Sequence, residues 1–294
     1  MRINRNKNNS AGNNLNNKYL QPLSKLAATY QFIMLLLNIV FFYEIDNAVN
    51  WLFINLIIFA FLIISRFDII RRMKAWSLLV IIPVNFTQLH YMVHTVHPSD
   101  FDIFLIKFDY MLFGSHPTLW MEAFTKPLIT EILQIVYSTF YFLPIVLGLI
   151  LFLSKRLAEF DFFIFQVVYG FYLSYLGYFI IPAIGPRFTL DHLQTFQLSG
   201  VWIMETIHHL LNQLENIQRD AFPSGHTAIT VLTLFYAKKY NNRYFYFMLP
   251  ITLMMILSTV YLRYHYVIDV IAGLFLFMII ITTGPFLYKK LKKT

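Results

Sequence analysis

Apolar runs of span length alternate along this chain with short polar segments that carry its charge. Eight runs predict membrane-crossing helices: Leu26–Tyr43, Trp51–Ser65, Ala75–Val93, Leu128–Leu153, Phe160–Ile181, Ser224–Ala237, Tyr244–Leu262 and Tyr266–Leu287. Crossing a bilayer takes about 20 apolar residues, so the second and sixth are short for the task. Two polar segments carry helical periodicity instead. Phe101–Leu112 gathers Phe104, Leu105, Phe108, Met111 and Leu112 on one face. Trp202–Ile217 gathers Ile203, Ile207, Leu210, Leu211, Leu214 and Ile217, with Glu205, His208, His209 and Gln213 opposite. Such faces suit helices lying in the water–lipid interface.

Composition agrees with this pattern. Of 294 residues, 58% are hydrophobic and 13% charged, about half the charge of an ordinary soluble domain. The expected fold is all-α, a polytopic bundle of about eight spans. Its parts are a disordered basic head (1–25), N-terminal spans (26–154), a core (155–288) and a basic tail (289–294). The head lacks the short apolar core of a cleaved signal peptide, so the first run reads as a retained signal-anchor. There are no cysteines, which excludes disulfides and thiolate metal sites.

The net charge of +8 reads as topology once its placement is counted. With the N- and C-termini in the cytoplasm, 18 of the 23 Lys and Arg residues fall on cytoplasmic segments, the positive-inside bias. Only Asp68, Glu159 and Asp161 of the 15 acidic residues do so. Nucleic acid is therefore not an expected partner. The five basic residues left on the other face are Lys107, Lys126, Arg187, Arg219 and Arg263.

Those three arginines belong to the fragments that carry chemistry. Gly185-Pro186-Arg187, Arg219 to His226 and Arg263 to Asp269 each sit at the edge of an apolar run. Pro223-Ser224-Gly225-His226 opens a helix: Ser224 suits an N-cap, and the free N–H groups of a helix start favour an anion. Gly225 lets backbone approach that anion, with His226 beside it. His265 and Asp269 are four apart and share a helix face, so the carboxylate can orient the imidazole for attack. Arg187 and Arg263, with Arg219 as a further candidate, can clamp phosphate oxygens. His90, His94 and His97 also share a helix face and have metal-ligand spacing, but no carboxylate accompanies them, and interfacial packing is the expectation. His208 and His209 are expected to be solvated; His116 and His192 read as loop residues.

Together these residues resemble the type-2 phosphatidic acid phosphatase superfamily over roughly residues 172–287. Pro223–His226 matches its second signature in full. In the third, Ser-Arg-x5-His-x3-Asp, Ser258, His265 and Asp269 match, while Thr259 replaces the Arg. In the first, Lys-x6-Arg-Pro, Arg187 matches, with Ile180 and Phe188 at the Lys and Pro positions. The resemblance implies His265 as nucleophile, His226 as general acid and Asp269 as orienter, with Arg187, Ser224, Gly225 and Arg263 binding the phosphate. It implies no metal or cofactor. The expected activity is hydrolysis of a lipid phosphomonoester or pyrophosphate, with lipid phosphate and membrane lipids as partners. The active site is expected on the outer face of the cytoplasmic membrane. The altered signatures also resemble the branch of inositol phosphorylceramide and sphingomyelin synthases, which implies head-group transfer to a lipid alcohol as the alternative. A non-catalytic lipid-phosphate binder or transporter is the third reading.

Overall fold

The computed structural model describes residues 21–63, 68–208 and 219–293, with the side chains of 21 and 68–75 left aside. The basic head up to residue 20, Arg66 and the side chains of Arg71, Arg72 and Lys74, and the 209–218 half of the second amphipathic segment, with His209, lie outside the described residues.

The described chain is a helical membrane bundle. Its helices are α1 (Gln21–Val40), α2 (Ala48–Ile63), α3 (Asp68–Val96), α4 (Asp102–Phe113), α5 (Pro117–Trp120), α6 (Pro127–Ser138), α7 (Phe142–Leu153), α8 (Leu157–Ile180), α9 (Pro186–Thr189), α10 (Gly225–Tyr240), α11 (Asn242–Tyr261) and α12 (Val267–Lys293). Six segments among the described residues are long and apolar enough to span: α1, most of α3, α6 with α7, α8, α11 and α12. The 16-residue α2 and α10 fall short of that length, matching the two shortest runs of the sequence.

The centre of the bundle is α8, which touches α1, α3, α7, α10 and α12. It is apolar on nearly every side, as a helix surrounded by others must be. Phe163 and Phe165 are fully buried in it, and its Gln166 amide donates to the Tyr236 hydroxyl of α10 at 2.8 Å.

One expected span is not continuous. The run from residue 128 to 153 breaks into α6 and α7 across a 3-10 turn, Thr139–Tyr141. Two causes coincide. The Ser138 and Thr139 hydroxyls donate to the Ile135 and Val136 carbonyls at 2.7 and 2.6 Å, which bends a helix locally. Pro144 has no N–H to offer the carbonyl of Phe140. The break turns Tyr137 and Phe140 toward the start of α10.

The amphipathic α4 also differs from its apolar pattern. Phe104, Met111 and Leu112 are exposed, whereas Asp102, Leu105 and Asp109 are buried. The apolar face looks outward, as toward lipid, and two carboxylates point into the protein.

Candidate active site

Ser224 caps α10. Its hydroxyl accepts from the Thr227 N–H at 3.2 Å, and its own N–H donates to the Asp269 carbonyl at 3.1 Å. The second contact joins the start of α10 to the start of α12. It requires small residues: a Cβ on Gly273 would stand 2.6 Å from the Ser224 carbonyl oxygen. His226 is thereby carried to His265, with His226 Nδ1 3.4 Å from His265 Nε2.

His265 is buried and held from behind. Its Nδ1 lies 2.8 Å from the Ala221 carbonyl oxygen and 3.5 Å from Asp269 Oδ2. The nearer acceptor is the backbone carbonyl, so Nδ1 carries the proton and Nε2 presents its lone pair toward His226. Asp269 Oδ2 accepts the Tyr266 N–H at 2.8 Å and so pins the turn that follows His265. Burial pushes the His265 imidazole down to about 4, against smaller opposing influences from the Asp220 charge and the Ala221 carbonyl. At neutral pH the ring is uncharged and nucleophilic.

Aromatic rings hold His226. Tyr137 stacks on it at 4.6 Å between centroids, and Phe140 packs at 4.3 Å. His226 Nε2 is buried without a hydrogen-bond partner. The stack continues from Tyr137 to Tyr264 at 4.4 Å, and the Arg187 guanidinium lies over the Tyr264 ring at 5.0 Å. Gly185 makes this approach possible. Its φ of 89° is a left-handed conformation, and a Cβ there would meet the Tyr264 carbonyl oxygen at 2.7 Å.

The structure therefore brings His226, His265, Asp269, Ser224, Gly225 and Arg187 into one neighbourhood. The other two arginines are bonded to carboxylates. The Arg263 guanidinium is buried on Glu122 at 2.7 Å, the Gln194 side-chain oxygen at 2.6 Å and the Phe196 carbonyl at 3.0 Å. Arg219 bridges Asp100 at 2.7 Å. Arg187 and Arg263 share a cavity of about 180 Å³ with Gln134, Asp191, Gln194 and Glu205. His208 lines it too, half-buried rather than solvated, with Nδ1 3.0 Å from the Tyr264 hydroxyl. Of the three histidines around the end of α3, His90 and His94 are exposed, and His97, just past the helix end, has its Nδ1 3.0 Å from the Ser99 carbonyl oxygen.

Sequence reasoning missed three carboxylates that shape the site by binding backbone N–H groups. Asp102 accepts from Ile184 and Gly185 at 3.0 and 2.8 Å and from the Tyr266 hydroxyl at 2.8 Å. Asp109 accepts from Val267 and Ile268 at 2.9 and 2.8 Å, capping α12. Burial is the larger influence on Asp109 and holds its carboxyl above the usual range despite those two donors. Glu131 accepts from residues 201–204, the closest at 2.8 Å, and anchors the helical segment that carries His208. Their one signal was the excess of acidic residues away from the basic loops, read as topology alone.

A helical membrane bundle with paired histidines at the meeting of two helix starts is the build of a membrane phosphoesterase-type enzyme. Residues 103–283 match the family model of the PAP2 superfamily, and the chain belongs to that superfamily. No curated protein and no solved structure matches it.

Proposed function

We propose that the protein is a lipid-phosphate phosphatase of the cytoplasmic membrane working through a phosphohistidine. The observation that carries this reading is the convergence of His265 Nε2 and His226 Nδ1 at 3.4 Å, with His265 Nδ1 turned away to the Ala221 carbonyl. Nε2 attacks phosphorus, and the bond to the lipid oxygen breaks. His226 gives a proton to the departing alkoxide. Water then attacks the phosphohistidine, losing a proton to His226, and phosphate leaves. Arg187 and the N–H groups at the start of α10 stabilise the charge spread over the phosphoryl oxygens. The positive-inside distribution of Lys and Arg supports an outward-facing site.

The cavity beside Arg187 favours one second reading. A pocket walled by amides, carboxylates and a histidine offers more hydrogen-bonding groups than a bare phosphate uses. It suits a phosphodiester whose polar head group moves with the phosphoryl group to a lipid alcohol, as in the inositol phosphorylceramide synthase-like branch.

One assay tests both readings. Purified protein is given lipid phosphomonoesters and phosphodiesters, with and without diacylglycerol or ceramide, and free phosphate and new lipids are measured together. The first reading expects phosphate release that falls by at least about ten-thousand-fold in His265→Ala. New phospholipid with little free phosphate supports the second. Undiminished turnover by His265→Ala sinks both.

A further inference from the structure

The cavity beside Arg187 is lined by a donor that the protein itself does not use. Gln134 of α6 is one of its lining residues and is fully buried. The Gln134 side-chain oxygen accepts from the Tyr264 hydroxyl at 3.5 Å, whereas its Nε2 has no hydrogen-bond partner. A buried amide N–H without an acceptor is costly, so the position fits a ligand that brings one.

Gln134 is held from both sides. On α6 it stands three residues after Glu131 and three before Tyr137, on one helix face. Glu131 binds the backbone N–H groups of residues 201–204, and Tyr137 stacks on His226. The same face thus fixes a cavity wall at one end and the catalytic ring at the other, with the unpartnered amide between them. Tyr264 divides the two: its ring stacks on Tyr137, and its hydroxyl meets the cavity residues Gln134 and His208. The cavity therefore lies across the Tyr264 ring from His226, next to the reacting phosphoryl group rather than around it. That is the place for what phosphorus carries besides the lipid.

The remaining lining restricts the chemistry. Gln194 is bonded at both ends, its oxygen to Arg263 and its Nε2 to the Pro186 carbonyl at 3.2 Å. Asp191, Gln197 and Glu205 are exposed and stand at the mouth. A second phosphate would bring its charge against Asp191 and Glu205. An alkylammonium would suit those carboxylates but offers the Gln134 N–H no acceptor. A hydroxyl answers both, since its oxygen accepts from Nε2 and its hydrogen goes to a carboxylate or amide oxygen.

We propose that Gln134 is a specificity-determining residue, its Nε2 donating to a hydroxyl oxygen of an uncharged, hydroxyl-bearing head group seated in this cavity. The inference rests on the phosphodiester reading of the site and adds to it the residue that chooses the head group. Gln134 lies outside the three fragments that carry the superfamily resemblance.

The test measures equilibrium binding to the full chain carrying His265→Ala, which stops turnover under the proposed mechanism. Short-chain phosphatidylglycerol, phosphatidylinositol, phosphatidylcholine and phosphatidate are titrated in detergent, and a cooperative thermal transition checks that each variant is folded. With Gln134 intact, the two hydroxyl-bearing diesters are expected to bind about tenfold more tightly than phosphatidylcholine. Gln134→Met removes the amide. Gln134→Glu, ionised, keeps the oxygen that Tyr264 uses and lacks the donor. Both should abolish the preference. A preference that is absent at the start, or that survives either substitution, overturns the proposal. Equal losses for all four lipids overturn it too, because Nε2 would then serve a phosphoryl oxygen. Binding of phosphatidate with neither class of diester bound removes the phosphodiester reading itself. Turnover that persists in His265→Ala removes the phosphohistidine and leaves the binding comparison standing.

Discussion

His265 and His226 meet at 3.4 Å, but the regions behind them differ in kind. The α11–α12 turn that carries His265 is polar. A backbone carbonyl accepts a hydrogen bond from its Nδ1–H, Asp269 pins the next N–H, and Asp109 caps the helix that follows. The region around His226, at the α6–α7 break, is aromatic, with Tyr137 and Phe140 against the ring. The difference corresponds to what each histidine has to do under the proposed mechanism. A nucleophile needs one tautomer and one direction of attack, which directional hydrogen bonds supply. A proton carrier must gain and lose its proton in turn, and ring packing fixes its position while leaving its Nε2 without a hydrogen-bond partner.

After loss of the nucleophile itself, the largest expected effect comes from breaking the aromatic side at its centre. His226→Gln should lower kcat/KM, which reports the step that expels the leaving group, by about a hundred- to ten-thousand-fold on an alkyl phosphate, the usual worth of a general acid. On a substrate with a p-nitrophenolate leaving group, which needs no proton, the loss should be far smaller. Equal losses on both substrates would remove the proton-carrier role and the contrast with it.

Next is Asp269→Asn, which asks what sets the tautomer of His265. The Ala221 carbonyl is nearer Nδ1 than the carboxylate is, 2.8 against 3.5 Å. The expected loss in kcat is therefore the tenfold to hundredfold of an outer supporting group. A loss as deep as that of His265→Ala would transfer the tautomer role to Asp269.

Asp109→Asn acts one shell further out. A side-chain amide has one acceptor oxygen, so one of the Val267 and Ile268 N–H groups loses its partner, at about 1–3 kcal/mol. A lower thermal midpoint with a comparable fall in kcat is expected. A lower midpoint with unchanged kcat would show that the polar side tolerates movement of α12. Tyr137→Leu removes one ring from the His226 stack, worth about 0.5–1.5 kcal/mol beyond its buried area. Its kcat should fall several-fold on the alkyl phosphate.

The polar side was the more legible of the two in the sequence. His265, Asp269, Ser224 and His226 stand at fixed spacing around helix starts, and spacing survives without coordinates. The membrane bundle was legible for the same reason, since span length and charge bias are local counts. Tyr137 and Phe140 could not be read, because they belong to a run that looks like one continuous span. Only the conjunction of Ser138, Thr139 and Pro144 breaks it, and the direction of the break depends on packing. Asp102, Asp109 and Glu131 were hidden differently. Each binds backbone N–H groups at least 70 residues away in sequence, a relation that leaves no periodic trace. Arg263 and Arg219 show the converse, for their residue type suggested phosphate while their guanidinium groups are paired with Glu122 and Asp100.

The smallest expected effect is a shift on the pH axis, and it examines the polar side most finely. Burial is the main reason the His265 imidazole lies near 4 instead of its ordinary value of about 6.5, with Asp220 and the Ala221 carbonyl opposing. The neutral ring is the nucleophile, so the acid limb of kcat/KM due to this group should lie near pH 4. The sign for stability follows from the same depression. Between about 6.5 and 4 the unfolded chain binds a proton that the folded chain refuses. This contribution is thus complete above about 6.5, declines as the pH falls through that interval, and changes no further below about 4. Asp220→Asn removes a negative charge that favours the imidazolium. The folded value should move further down, carrying the acid limb to lower pH and extending the lower edge of the stability window. Profiles of kcat/KM from about pH 2.5 to 7, compared with the NMR titration of His265, measure both. An acid limb near 6.5 in the unmodified protein would mean a hydrated His265. The nucleophile would then be held no more tightly than a surface imidazole, and the contrast between the polar and aromatic regions would lose its physical basis.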